Sequence, residues 1–167
     1  MLEYRKLEED DESRLSTLIN IIEADLSDAT WWLPIKTEAK DHFFDNSWTI
    51  FQGAFEKGEL VAASGLFLNP FEYGECADII GANYNHTAEI GRCMVHPDYR
   101  GKNIMLSLNK MLLKEAKSLK RSTILATAHP NNISSNSSLI RLGMQIRKTI
   151  VKSNNYPRNI LVMDLNV

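Results

Sequence analysis

Apolar positions recur along this chain in two rhythms. Leu15, Leu18, Ile19, Ile22 and Leu26 fall at spacings of three and four, the repeat of one helical face, and Asp10 or Asp11 stands where that helix needs a cap. A short strand over residues 2–7 precedes it. The rhythm stops between residues 27 and 34, at Trp31-Trp32 and a proline, and a shorter helix is predicted over about 35–45. Residues 48–56 and 59–68 are rich in β-branched and aromatic side chains and read as strands, joined by a two-residue hairpin turn at Lys57-Gly58. Residues 69–86, broken by Pro, Gly and Asn, read as an irregular insertion, and 87–95 as a further strand. Ile104, Leu108, Met111, Leu112, Ala116 and Leu119 form a second helical stripe, with lysines on the other faces. A buried-type strand over 123–128, a helix over about 132–142 capped at Gly143, and strands over 145–153 and 159–165 complete the chain.

The resulting order, β-α-α-β-β-β-α-β-α-β-β, predicts an α/β (α+β) fold. The strand–helix–strand unit at 87–128 requires a parallel crossover, and the hairpins on either side require antiparallel neighbours. A mixed, mainly antiparallel sheet flanked by helices on both faces satisfies both, within a single domain over residues 1–167.

Composition narrows the function classes. The 167 residues are 44% hydrophobic and 24% charged, ample for one core, and the net charge of −2 lacks the basic surplus that a general nucleic-acid binder uses on phosphates. Cys76 and Cys93 are too few for a disulfide framework and lack metal-ligand spacing with histidine, so no metal is expected. The charged start, MLEYRKLEEDDES, has no apolar centre of a signal peptide, and no apolar run approaches the roughly 20 residues of a membrane span. The expectation is a cytoplasmic protein without nucleic-acid or membrane partners.

The strand–loop–helix at 87–119 carries the clearest chemistry. A helix N-terminus presents free N–H groups and a partial positive charge to phosphate. Gly101 permits close backbone approach, Asn103 accepts a left-handed conformation, and Arg100 and Lys102 add charge. An ordinary exposed turn with solvated basic residues fits these features equally well on physics alone.

Val95-His96-Pro97-Asp98-Tyr99-Arg100-Gly101-Lys102 resembles the GCN5-related N-acetyltransferase (GNAT) superfamily, and so does the element order over almost the whole chain. A second motif agrees: Asn132-Ile133-Ser134-Ser135, followed by Leu139-Ile140-Arg141-Leu142-Gly143-Met144, is similar to that family's N-x-x-S … L-G-F helix. The resemblance implies acetyl-CoA as co-substrate. Backbone N–H groups of about 100–105 (Arg100, Gly101, Lys102, Asn103, Ile104, Met105) would hold its pyrophosphate. The strand backbone at Met94 and Val95 would pair with its pantetheine arm, with Asn132 and Ser135 on the facing helix. The sequence departs from the family's Q/R-x-x-G-x-G/A pattern at Asn103 and Met105, where small residues are usual.

The same resemblance makes Glu89 the general base. An alkyl amine is only about 0.1% neutral at pH 7, and attack on a thioester needs the neutral form. A carboxyl on a partly buried strand has its pKa raised toward that task; the plainer expectation is a solvent-facing carboxylate paired with Arg92. The family's usual tyrosine acid is replaced by Leu139, leaving Tyr73, Tyr84 and Tyr156 as unranked substitutes. Cys93 reads as a small core residue rather than a nucleophile, and His96 and His129, each before a proline, as loop-end histidines. Trp31 and Trp32 border the acceptor pocket by resemblance, as a stacking or cation–π platform or as one core and one covering indole. Glu72, Glu75 and Asp78 offer charge to a cationic amine. In the family the C-terminal strands often pair between subunits, which here points to a homodimer.

Three functions therefore compete. One is an N-acetyltransferase acting on a primary amine of a small molecule or protein N-terminus. Another is a non-catalytic acyl-CoA-binding or regulatory domain, favoured by the altered glycines and the missing tyrosine. The third, a nucleotide-binding α/β protein, lacks the G-x-G-x-x-G fingerprint.

Overall fold

The computed structural model describes residues Met1–Val167 and contains seven strands and five α-helices. They run β1 (Glu3–Lys6), α1 (Glu12–Asp25), α2 (Thr37–Asp41), β2 (Thr49–Glu56), β3 (Glu59–Phe67), α3 (Pro70–Ile80), β4 (Thr87–Val95), α4 (Ile104–Ser118), β5 (Thr123–Ala128), α5 (Ile133–Leu142), β6 (Gln145–Val151) and β7 (Pro157–Asp164). One mixed sheet takes the order β1-β2-β3-β4-β5-β7-β6, and every pairing is antiparallel except β4 with β5. The expected fold class and the parallel unit at 87–128 are both present.

Period-2 alternation divides the strands between two cores. Phe51, Phe55, Ala63 and Phe67 face the cluster built on Leu15, Leu18, Ile19 and Ile22 of α1. Ile50, Leu66, Ile90, Ile124 and Ala126 face the opposite cluster, with Leu112 and Ala116 of α4 and Leu139 of α5. Helices therefore cover both faces. The hairpin turn expected at Lys57-Gly58 has both residues at positive φ, 51° and 81°, the primed geometry that matches strand twist.

Three expectations are corrected. Residues 69–86 are not an irregular insertion, because most of them form α3. Asn69 caps it, its side chain accepting from the Phe71 N–H at 2.9 Å; Pro70 takes the first turn; Gly81 ends it at φ 71°. Tyr73, Cys76 and Ala77 give it an apolar stripe against Leu125, Ile160 and Val162. Asp11 occupies the N-cap position of α1 but makes no cap bond there. Its buried carboxylate turns back to Arg5 of β1, with contacts of 2.7 and 2.9 Å, and accepts the Glu8 N–H at 3.0 Å. The second helix is shorter than expected, ending at Asp41.

The fold positions one site by splitting the sheet. β4 and β5 pair only over Thr87–Glu89 with Thr123–Leu125. On its other side β4 carries a bulge: Arg92 and Cys93 together oppose Ser64, and Arg92 has φ 52°. A bulge bends its strand and strengthens its twist. Beyond Glu89 the β5-side edge of β4 has no strand partner, and the two parallel strands part into a wedge.

Candidate active site

The wedge opens into a cleft of about 650 Å³ bounded by β4, the turn after it, the first turns of α4 and α5, and the loop between α1 and α2. Trp31, Trp32, Glu89, Val95, Arg100, Gly101, Lys102, Asn103, Ile104, Met105, Asn132 and Ser135 all line it. Residues far apart in sequence, each singled out above, therefore meet in one place. Met94 is the exception: its side chain is 1% exposed and packs with the α1 core, leaving only its backbone to the wedge.

The mouth is made of open donors. Gly101 and Asn103 sit at φ 78° and 58°, and Asn103 starts α4 without capping it through its side chain. The first N–H groups of α4 have no acceptor within the helix and point outward with its positive end. The Met105 side chain is half-buried, packed against the cluster of Ala54, Val61, Ile104 and Leu108 while still lining the cleft. Arg100 is turned elsewhere than expected, pairing with Asp25 at the end of α1 at 2.8 Å. Arg141 of α5, which the sequence did not single out for charge, stands here instead, its Nη2 donating to Asn103 Oδ1 at 3.1 Å. Asn132 caps α5 by accepting the Ser135 N–H at 3.1 Å, which leaves its amide NH₂ free for the cleft.

Glu89 lies at the apex of the wedge, on the last residue pair that joins β4 to β5. Its half-buried carboxyl has no hydrogen-bond or ion-pair partner, and burial pushes its pKa up to about 8, with Glu72 adding to the rise and Lys152 and Arg92 opposing it. The expected pairing with Arg92 does not form. Arg92 donates instead to the carbonyls of Leu33 and, at 3.2 Å, Pro34, and lies 5.0 Å over the Trp32 ring. The bulge thus aims Arg92 away from its strand neighbour and uses it to hold the tryptophan loop. Trp32 donates to Glu23 at 3.2 Å, and Trp31 stands 6.0 Å from the ring of His129.

Several other candidates are committed to structure. Leu139 is 3% exposed in the core. Tyr73 donates to the Leu68 and Tyr84 carbonyls, Tyr84 donates to Asp78, and Tyr156 lies beneath Arg158; none lines the cleft. Glu75 pairs with Lys152 at 3.9 Å, so of the three carboxylates expected at the rim only Glu72 faces the cleft. Cys93 is hydrogen-bonded to Ser64 at 3.3 Å, and burial pushes its thiol pKa up, away from a nucleophilic thiolate. His96 and His129 each accept a backbone N–H two residues on, at 3.1 and 3.0 Å. No group of His, Cys, Asp or Glu stands together as a metal site, and no helix is long and apolar enough to cross a membrane.

Residues 15–143 match the model of the acetyltransferase (GNAT) family. The chain belongs to that family. Solved structures share the fold along the full length. An N-acetyltransferase from Staphylococcus aureus is 16% identical, with TM-score 0.74 and 99% of each chain covered. The yncA protein of Salmonella typhimurium, solved with its cofactor acetyl-CoA, is 15% identical, with TM-score 0.75 and coverage of 100% of this chain and 95% of that one. A ribosomal-protein-alanine N-acetyltransferase from Brucella melitensis is 19% identical, with TM-score 0.72 and coverage of 98% and 99%. None of the curated proteins compared with this GNAT chain matches it.

Proposed function

We propose that this chain, acting as one domain, is a cytoplasmic N-acetyltransferase that moves an acetyl group from acetyl-CoA directly to a primary amine of a small molecule or protein N-terminus. The observation that carries the reading is the wedge itself, with an unpaired strand edge, an uncapped helix start at its mouth and a carboxyl at its apex. Acetyl-CoA suits these parts. The N–H groups at 100–105, with Lys102 and Arg141 beside them, would take the pyrophosphate. The free edge of β4 at Met94 and Val95 offers alternating N–H and C=O groups to the amides of an extended arm, as to an added strand. Asn132 and Ser135 face that arm from α5. The thioester, when bound, supplies an activated acyl carbon.

Glu89 then manages the amine. A carboxyl with pKa about 8 is an adequate acceptor for an ammonium proton near neutrality, far better matched than one at 4.5. The neutral nitrogen attacks the thioester carbon, the N–C bond forms and the C–S bond breaks; the nitrogen gives its surplus proton to solvent, and the departing thiolate takes one from solvent, because Leu139 offers none.

The competing reading, an acyl-CoA-binding domain without catalysis, draws its support from Leu139 and from the absence of any unengaged tyrosine in the cleft. Thiol release over a panel of amines, with acetyl-CoA binding followed in parallel by thermal shift, separates the two. Binding with no turnover removes the enzyme, and no binding removes both.

A further inference from the structure

The acceptor end of the cleft contains two arginines that no carboxylate neutralises. Arg158 opens β7 and is 2% exposed, yet it lines the cleft. Its Nη1 donates to the Thr30 carbonyl at 2.7 Å and the Pro157 carbonyl at 2.6 Å, while Nε and Nη2 have no protein acceptor. The charged residue that most affects it is another cation, Arg92, and burial together with Arg92 lowers its pKa. Arg92 is likewise outside every ion pair of the molecule and feels Glu72, Glu89 and Glu23 only at longer range.

A second donor in the same wall is also unsatisfied. The indole N–H of Trp31, next in sequence to the Thr30 carbonyl that Arg158 holds, is buried with no acceptor. A buried guanidinium without a counter-ion is costly, and so is a buried N–H without a partner. Holding the tryptophan loop accounts for one nitrogen of Arg158 and leaves the remaining donors unexplained. Donors alone, gathered where the amine must enter, suit a ligand group that only accepts and carries negative charge. The local balance agrees: Lys152 is paired with Glu75, and the two arginines, Arg92 and Arg158, face Glu72 and a Glu89 that holds its proton below about pH 8.

From this we infer that the acceptor is a small amine that also bears a carboxylate, an amino acid in its broad sense, whose anion is bound by the free Nε and Nη2 donors of Arg158 with Arg92 and the Trp31 indole beside it. The inference rests on the transferase reading for the amine's fate, but the anion subsite stands on its own donors. Planar, forked donors favour a carboxylate over a point contact.

The test uses matched acceptors: L-amino acids, their carboxamides, their decarboxylated amines, and aminoalkylphosphonates as a second oxyanion. Thiol release with acetyl-CoA gives kcat/KM, and thermal shift of the protein–CoA complex reports binding without turnover. The carboxylate forms are expected to exceed their carboxamides at least tenfold in kcat/KM, or in affinity if no amine turns over. Arg158→Gln should erase that preference while leaving the Kd for acetyl-CoA unchanged. Trp31→Phe, which keeps the ring and drops the donor, should reduce the preference several-fold and guards against a fold defect in the first variant. Equal or better use of carboxamides or decarboxylated amines, in both readouts, overturns the inference, as does a preference that survives Arg158→Gln. Selectivity for phosphonates over carboxylates keeps the subsite but replaces the carboxylate in the assignment. Carboxylate-selective binding with no turnover of any amine upholds the subsite and sinks the transferase instead.

Discussion

Arg100 on the turn after β4 and Asp25 at the end of α1 form an ion pair of 2.8 Å across the mouth of the cleft. Both side chains are about half exposed, at 53% and 42%, so the pair adds less than about 1 kcal/mol to stability. Its consequence is positional. It ties α1 to the phosphate-binding turn and directs toward a carboxylate the guanidinium that the motif assigns to phosphate. Asp25→Ala should release Arg100 and remove a negative charge from the entrance. Calorimetric titration should then show CoA binding several-fold tighter in low salt, with the gain fading as salt rises and the unfolding midpoint little changed. Weaker CoA binding in the variant would mean that the pair organises the turn rather than competing for it.

Glu89 should make its mark on both rate and pH dependence. Glu89→Gln is expected to lower kcat by on the order of 10²–10⁴ at neutral pH. In the wild type kcat/KM should climb with pH toward a plateau above about 8, the value to which burial lifts this carboxyl. Stability should move the other way. The folded state holds the Glu89 proton above the pH at which the unfolded chain releases it, so this group costs stability as pH rises from about 4.5 to about 8 and changes nothing further beyond. Denaturation curves for Glu89→Gln should lack that component. Wild-type turnover in the variant would remove Glu89 from the mechanism.

The distance between what the sequence disclosed and what it concealed follows from physics. Strands and helices with a clean period, such as the α4 stripe and the β2–β3 hairpin, were legible because local pattern and tertiary burial agree. The stretch at 69–86 carries Pro, Gly and Asn, residues that usually punctuate loops, yet Asn69 and Gly81 cap α3, Pro70 takes its first turn and Gly74 sits in its interior. Asn69-Pro70 at one end, Gly81 at the other and Tyr73, Cys76 and Ala77 between them were the available signal. The cleft residues on the turn and on α5 were found because they lie within contiguous motifs. Arg158 was not, because nothing local distinguishes an arginine at a strand start that faces solvent from one buried against a loop 128 positions away. The course of Arg92 was hidden too, since the bulge that redirects it depends on its pairing with β3.

Asp11 anchors β1 to α1, and its removal should be felt far from the cleft. The side chain is 3% exposed, accepts from Arg5, Arg14 and the Glu8 N–H, and its pKa is lowered to about 2, chiefly by the Arg5 hydrogen bond. A depressed carboxyl stabilises the fold above the unfolded pKa and loses that contribution as pH falls through the folded one. Asp11→Asn should therefore cost about 2 kcal/mol in urea unfolding at pH 7, and the loss should shrink between about pH 4 and pH 2 as the wild type protonates. A cost that persists unchanged at pH 2 would assign the effect to packing.

Asn103 tests whether the phosphate turn works through its backbone, as its departure from the small-residue pattern requires. At φ 58° it holds a left-handed conformation that costs most L-residues roughly 1–2 kcal/mol and costs glycine nothing. Asn103→Gly relaxes the backbone and loses only the exposed bond to Arg141, two small effects of opposite sign. Its stability should stay within about 0.5 kcal/mol of wild type, and CoA affinity should stay within a few-fold. Asn103→Val puts a β-branched side chain where the conformation is least tolerated, so it should lose about 1–2 kcal/mol in stability and, by distorting the N–H array that starts α4, at least tenfold in CoA affinity. If the glycine variant loses CoA as severely as the valine variant, the asparagine side chain itself, with Arg141 behind it, is the phosphate contact and the backbone account of this turn fails.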